Sequence, residues 1–173
     1  FVHDDLDTGQ PRFPGVRFSN TESLAMAGQQ PLTIVRTGHF HDRPAGAVRA
    51  AWSRDGGRSW TAFAKEPPDG EGAGKISIAA DGARAIWQPR KGGHWITADF
   101  GGHWQAVQGL PKTALVEADS VQAALYYAYD ASTGKLYVSG DGGIEFKEAR
   151  GDTGAGGDWF RAELRPDPRG GVW

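Results

Sequence analysis

Apolar residues in this chain gather in short runs that alternate with polar ones, and none keeps the spacing of an amphipathic helix. Leu32-Thr33-Ile34-Val35-Arg36 and Ala47-Val48-Arg49-Ala50-Ala51-Trp52 read as strands. So do Lys75-Ile76-Ser77-Ile78-Ala79, Ala83-Arg84-Ala85-Ile86-Trp87 and His94-Trp95-Ile96-Thr97. A further set is Ala114-Leu115-Val116-Glu117, Leu125-Tyr126-Tyr127-Ala128-Tyr129 and Lys135-Leu136-Tyr137-Val138. Asp81-Gly82 and Thr133-Gly134 mark turns between neighbouring runs. Alternation puts Tyr126 and Tyr127 on opposite sides of one strand. The pattern predicts an all-β chain.

A repeat organises these strands. Ser53-Arg54-Asp55-Gly56-Gly57-Arg58-Ser59-Trp60, Thr97-Ala98-Asp99-Phe100-Gly101-Gly102-His103-Trp104 and Ser139-Gly140-Asp141-Gly142-Gly143-Ile144-Glu145-Phe146 all read Ser/Thr-x-Asp-x-Gly-x-x-aromatic. They begin at residues 53, 97 and 139, a recurrence that suits one four-stranded propeller blade of about 40–45 residues. The Asp accepts backbone N–H bonds within its own turn, as in an Asx-turn. Gly57, Gly102 and Gly143 are the expected sources of positive φ. Trp60, Trp104 and Phe146 open the next strand and are expected to pack between blades. These Asp residues are read as hairpin scaffold, not as catalysts or metal ligands.

Composition sharpens the picture. The 173 residues include 26 Gly and 10 Pro, and 11% are aromatic. The aromatics demand a buried core, so the glycine belongs to turns rather than to disorder. A net charge of −2 with scattered Lys and Arg makes nucleic acid a poor partner. No apolar stretch is long enough to span a membrane as a helix. Zero Cys excludes disulfides, zinc ribbons and thiol nucleophiles. The opening Phe1-Val2-His3-Asp4-Asp5 lacks Met, a basic region and an apolar run, and reads as a mature product or a piece of one.

The expected organisation is an N-terminal segment at 1–22, blades at 23–68, 74–108 and 114–150, and the start of another at 158–173. Gly/Pro-rich linkers separate them, as at Glu66-Pro67-Pro68-Asp69-Gly70-Glu71-Gly72 and Gly109-Leu110-Pro111. Propellers ordinarily close with four to eight blades. Three blades and part of a fourth therefore predict a partial propeller, with the remaining blades in the same or another chain.

The boxes resemble the Asp box, or bacterial neuraminidase repeat, of sialidases, sortilin-type propellers and several glycoside hydrolases. Beyond them, the chain resembles the start of the second propeller of glycoside hydrolase family 74, the xyloglucanases and related endoglucanases. The residues that carry this are Phe1-Val2-His3-Asp4-Asp5-Leu6-Asp7, Ile34-Val35-Arg36-Thr37-Gly38, Trp87-Gln88-Pro89, Ala118-Asp119-Ser120-Val121 and Tyr127-Ala128-Tyr129-Asp130. The box at Tyr137–Gly143 and the closing Arg165–Trp173 complete the set. The resemblance implies a secreted enzyme with two seven-bladed propellers facing across a cleft that binds a branched β-1,4-glucan. It implies inverting hydrolysis by one Asp from each propeller, with carboxyls roughly 6.5–9.5 Å apart. The family's second-propeller acid lies in a Gly-Asp-x-x-Gly stretch just upstream of the position of Phe1, so these residues alone are expected to be inactive and to form one wall of the cleft. The alternative is a non-catalytic Asp-box propeller that binds glycan or protein.

Remaining candidates are weaker. Asp4 and Asp5 are acidic and near the expected acid, and His3 and Trp87 are candidate substrate contacts. Trp87 precedes Pro89 and the Arg90-Lys91-Gly92-Gly93 loop, which suggests a strand end where sugars stack; core packing is the competing reading for all the aromatics. His39-Phe40-His41-Asp42 has metal-like spacing but no third ligand, so no metal or other cofactor is expected. No Gly-x-Ser-x-Gly elbow and no phosphate loop is present.

Overall fold

A computed structural model of the chain describes residues 15–152, 166–167 and 171–172, and every regular element in it is a strand. Three antiparallel four-stranded sheets follow one another along the chain. The first holds β1 (Asn20–Ala27), β2 (Gln30–His39), β3 (Ala50–Ser53) and β4 (Thr61–Ala62), paired in that order. The second holds β5 (Lys75–Ile78), β6 (Ala85–Gln88), β7 (Trp95–Thr97) and β8 (Gln105–Ala106). The third holds β9 (Leu115–Ala118), β10 (Tyr126–Asp130), β11 (Lys135–Ser139) and β12 (Lys147–Asp152). A short antiparallel pair, β13 (Pro166–Asp167) with β14 (Gly171–Val172), comes last. The chain is all-β, and its sheets are propeller blades.

Two apolar seams hold the blades together, because the second sheet buries both of its faces. Along β5 and β6, Ile76, Ile78, Ala85 and Trp87 pack with Ala27, Val35, Ala50 and Phe63 of the first blade. From the other side of the second blade, Ala79, Ile86 and Ile96 meet Ala114, Val116, Tyr126, Ala128 and Phe146 of the third. The period of two thus sends alternate residues to opposite neighbours. Each large side chain buried this way contributes about 1.5–3 kcal/mol. Tyr126 lies in this second seam and Tyr127 does not.

The first strands of the blades converge: β1 packs on β5 and β5 on β9. Ser23 Oγ accepts from Ile76 N at 3.2 Å, and Gln29 Nε2 donates to Val121 O of the third blade at 2.5 Å. Each blade is also stitched to the segment that leads into it. Ala64 N donates to Phe100 O at 2.9 Å, and Gln108 N to Ile144 O at 2.9 Å. Val16 N reaches Trp60 O at 3.4 Å, beside a parallel bridge between Gly15 and Trp60. Above that bridge the Arg36 guanidinium lies 3.9 Å from the Trp60 ring centroid, and burial lowers its pKa to about 10.

Candidate functional site

Antiparallel pairing gives the blades two unlike ends. One end carries the turns from first to second strand and the Asp boxes; the other carries the loops from second to third strand and the segments between blades.

At the box end, hydrogen bonding consumes the carboxylates. Ser53 Oγ donates to Asp55 Oδ1 at 2.7 Å and accepts from Gly57 N at 2.9 Å, while Ser59 donates to the same carboxylate through N (2.9 Å) and Oγ (2.6 Å). In the second box Thr97 Oγ1 and His103 N each donate to Asp99 Oδ1 at 2.9 Å, and His103 Nδ1 lies 2.6 Å from Oδ2. In the third, Ser139 Oγ (2.7 Å), Ile144 N (3.0 Å) and Glu145 N (3.2 Å) all bond Asp141 Oδ1. Hydrogen bonds from Ser59 and Ser53 hold the Asp55 carboxyl far below the usual range. Those from His103 and Thr97 do the same for Asp99, and Ser139 leads the lowering of Asp141. A general acid needs a raised pKa, so these three groups are poorly suited to that role.

Positive φ falls on Gly57, Gly101 and Gly143, with Phe100 at 52° as the non-glycine member. Gly102 is not among the positive-φ residues, which corrects the expectation placed on it. A Cβ there would stand 2.6 Å from Asp99 Oδ2, so Gly102 serves the close approach of its own box carboxylate. Of the box aromatics, Phe146 is in the seam between the second and third blades. Trp104 stacks on Phe63 (centroids 6.3 Å apart) at the first seam.

Trp87 differs from expectation as well. It has no exposed surface, meets Phe63 edge-on at 6.2 Å, and donates its indole N–H to Ala73 O. It is the centre of the first seam and has no free face for a sugar. His39 and His41 do not converge: His39 Nδ1 is 3.3 Å from Glu22 Oε1, while His41 donates through its backbone N to Ser19 Oγ. Among the described residues no group of three or more His, Cys, Asp or Glu is placed to hold a metal ion, and no helix is long and apolar enough to cross a membrane. His3, Asp4 and Asp5 lie outside the described residues, as do the run at Asp158 and most of the closing Arg165–Trp173.

The loop end is where polar side chains of different blades meet. Glu22, at the start of β1, accepts from Arg90 Nε (2.9 Å) and Gly74 N (3.1 Å), so blades one and two share one carboxylate. Thr37 Oγ1 donates to Gly74 O at 2.6 Å. At the next junction the same kind of contact recurs, with Gln88 Nε2 donating to Lys112 O at 3.2 Å. Here, however, the junction is hollow: a cavity of about 380 Å³ is lined by residues that include Gln88, Arg90, Lys112, Thr113, Leu115 and Ser132. Asp130 also faces it, yet its oxygens accept from Thr113 Oγ1 (2.9 Å), Ser132 Oγ (2.7 Å) and Thr133 Oγ1 (2.8 Å). Burial pushes the Asp130 carboxyl up, and these donors outweigh it and leave it below the usual range. Asp130 is thus a bracket, not an acid. Sequence reasoning missed this group because it depends on two blades meeting; only the Arg90–Gly93 loop hinted at it.

No family model matches the chain. A xyloglucanase from Paenibacillus sp. is 34% identical over 150 residues, 86% of this chain and 14% of that protein. The crystal structure of the GH74 xyloglucanase from Xanthomonas campestris superposes with a TM-score of 0.89 at 48% identity, over 98% of this chain and 25% of the other. That of a Niastella koreensis GH74 enzyme gives 0.67 at 27% identity, over 84% and 19%. The chain therefore spans a quarter or less of the length of these relatives.

Proposed function

The chain belongs with the glycoside hydrolase family 74 xyloglucanases over most of its own length, and from that premise we propose that it is part of a secreted hydrolase acting on xyloglucan or a related β-1,4-glucan. The carrying observation is the 48% identity and close superposition, over 98% of the chain, on a solved xyloglucanase of this family. In this reading the three blades form one wall of a cleft, with the rest of this propeller and a second propeller completing it. Hydrolysis inverts the anomeric centre through two carboxylates far enough apart to admit a water.

The box carboxylates support the division of labour. Each accepts hydrogen bonds from its own turn, and these favour the charged form, so none is primed to give a proton to a leaving group. The acid is assigned to the Asp expected just upstream of Phe1, and the base to the other propeller. Asp4 and Asp5 remain second candidates within the chain.

Reducing-sugar release from xyloglucan tests this directly. The full-length polypeptide is expected to release reducing ends, to lose at least 100-fold in rate when the upstream Asp becomes Ala (general acid–base contributions run to about 10²–10⁴), and to keep its rate in Asp4→Asn. The 173 residues alone are expected to be inactive. Absence of hydrolysis by the full-length polypeptide would favour a propeller that only binds.

A further inference from the structure

We propose that the hollow junction between the second and third blades is a saccharide subsite that seats one uncharged pyranose unit. The proposal rests on the glycan-handling reading above and adds to it a location and a ligand chemistry.

The repeat supplies the first argument. Both blade junctions are built on one plan, in which the side chain at the end of the second strand reaches the carbonyl of the segment entering the next blade. At the first junction Glu22, Arg90 and Gly74 close the space. Gly70 and Gly72 let that segment lie against Pro89 and Arg90, since a Cβ on either would come within 2.9 Å of them. Among the described residues nothing equivalent fills the second junction, and about 380 Å³ stays open. That volume is at the small end of ligand pockets, roughly 300–1,000 Å³, which suits a sugar ring or two.

The lining supplies the second argument. Lys112 offers its ammonium, Arg90 its guanidinium, and Thr113 and Ser132 offer hydroxyl oxygens that can accept because their protons already go to Asp130. Gln88 lines the same cavity and holds its side chain there by donating Nε2 to Lys112 O at 3.2 Å. Leu115 and Ala131 form an apolar patch for a C–H face.

Charge decides between a neutral and an acidic sugar. Arg90 is paired with Glu22 at 2.9 Å, and Lys112 faces the same cavity as the ionised Asp130. The local charges cancel, so an anion gains no net attraction. Mixed donors and acceptors around a small apolar floor favour a polyol.

The test is an amide-shift titration of the isotope-labelled chain with xyloglucan heptasaccharide, cellotetraose and glucuronate. Crystals of the full-length polypeptide soaked in the same sugars provide a second measurement that does not depend on the chain folding alone. The expected result is binding of the neutral sugars, with shifts at the Gln88 side-chain amide and the Thr113 and Ser132 amides, and sugar density in the cavity. Lys112→Ala is expected to weaken binding at least threefold, and Ala131→Phe, which fills the space, to abolish it. No shift and no density with any neutral sugar, a preference for glucuronate, or binding that survives Ala131→Phe would each overturn the proposal. Xyloglucan hydrolysis by the same full-length protein reports separately on the broader reading: hydrolysis without cavity binding sinks the subsite alone.

Discussion

At the scale of single residues, the box carboxylates set the acid limit of the fold. Asp55, Asp99 and Asp141 all have carboxyls held below their ordinary pKa in the folded chain. A depressed folded pKa gives stability that is complete above the unfolded value, about 3.9 for Asp, and is lost as pH falls through the folded one. Melting temperature is therefore expected to be insensitive to the boxes above about pH 5 and to drop steeply below about pH 4. Replacing all three by Asn should flatten that drop, a comparison that differential scanning calorimetry makes directly. His94 adds an earlier loss. Burial lowers its pKa, and its Nε2 sits 2.7 Å from Ala114 O, so the unfolded chain takes up its proton more readily and stability declines as pH falls below the usual imidazole value of about 6.5.

Glycine at residue 101 has a measurable cost of replacement. Its φ is 90°, and a Cβ would stand 2.7 Å from Lys65 O. Gly101→Ala is expected to cost at least about 1–2 kcal/mol, lowering the melting temperature by about 2–8 °C. The motif spacing made this position legible, but assigning the positive φ to Gly101 rather than Gly102 required knowing which of two adjacent glycines turns the chain. Sequence shows the pair; only backbone geometry separates a turn from a close approach.

Among the elements, the second and third strands of every blade and the first strands β5 and β9 were legible, whereas β1 and the outer strands were not. Runs such as Ile76-Ser77-Ile78 and Tyr126-Tyr127-Ala128 declare themselves because both faces are buried or half-buried. β4 and β8 are two residues each and exist only through pairing with the strand beside them. β1 escaped because Asn20-Thr21-Glu22-Ser23 opens it with polar residues, while its Leu24 and Met26 are exposed. Trp87 misled for a related reason: a Trp just before a Pro-containing loop reads as a rim residue, yet it points into the seam. Trp87→Ala is expected to cost about 3–5 kcal/mol, read as a shift of the urea midpoint.

Loop anchoring at this scale depends on Glu66. Its Oε1 accepts from Arg49 N, Arg49 Nε and Arg43 Nη2, each at 2.9 Å, and Oε2 accepts from Arg49 Nη2. Burial raises the Glu66 pKa, and the Arg49 hydrogen bonds outweigh it, leaving the carboxyl below its ordinary value. Glu66→Ala strips a half-buried guanidinium of its partner and is expected to cost about 1–3 kcal/mol, with proteolysis of the 40–49 loop as a second readout.

For the whole molecule, the number and identity of the blades were readable because one motif recurs at blade spacing, and the family followed from the ordered set of residues around it. The cavity at the second junction was not readable, since its walls come from blades whose juxtaposition no local pattern encodes. The stitches between blades carry a further consequence. In two successive places the strand leaving one sheet does not end there: its continuation bonds into the box of the sheet that follows, at Ala64–Phe100 and Gln108–Ile144. Each blade is thereby latched by chain belonging to the one before it, so a backbone cut need not part them. A single protease nick after Glu71 should leave two pieces that migrate together in a native gel and separate only in denaturant.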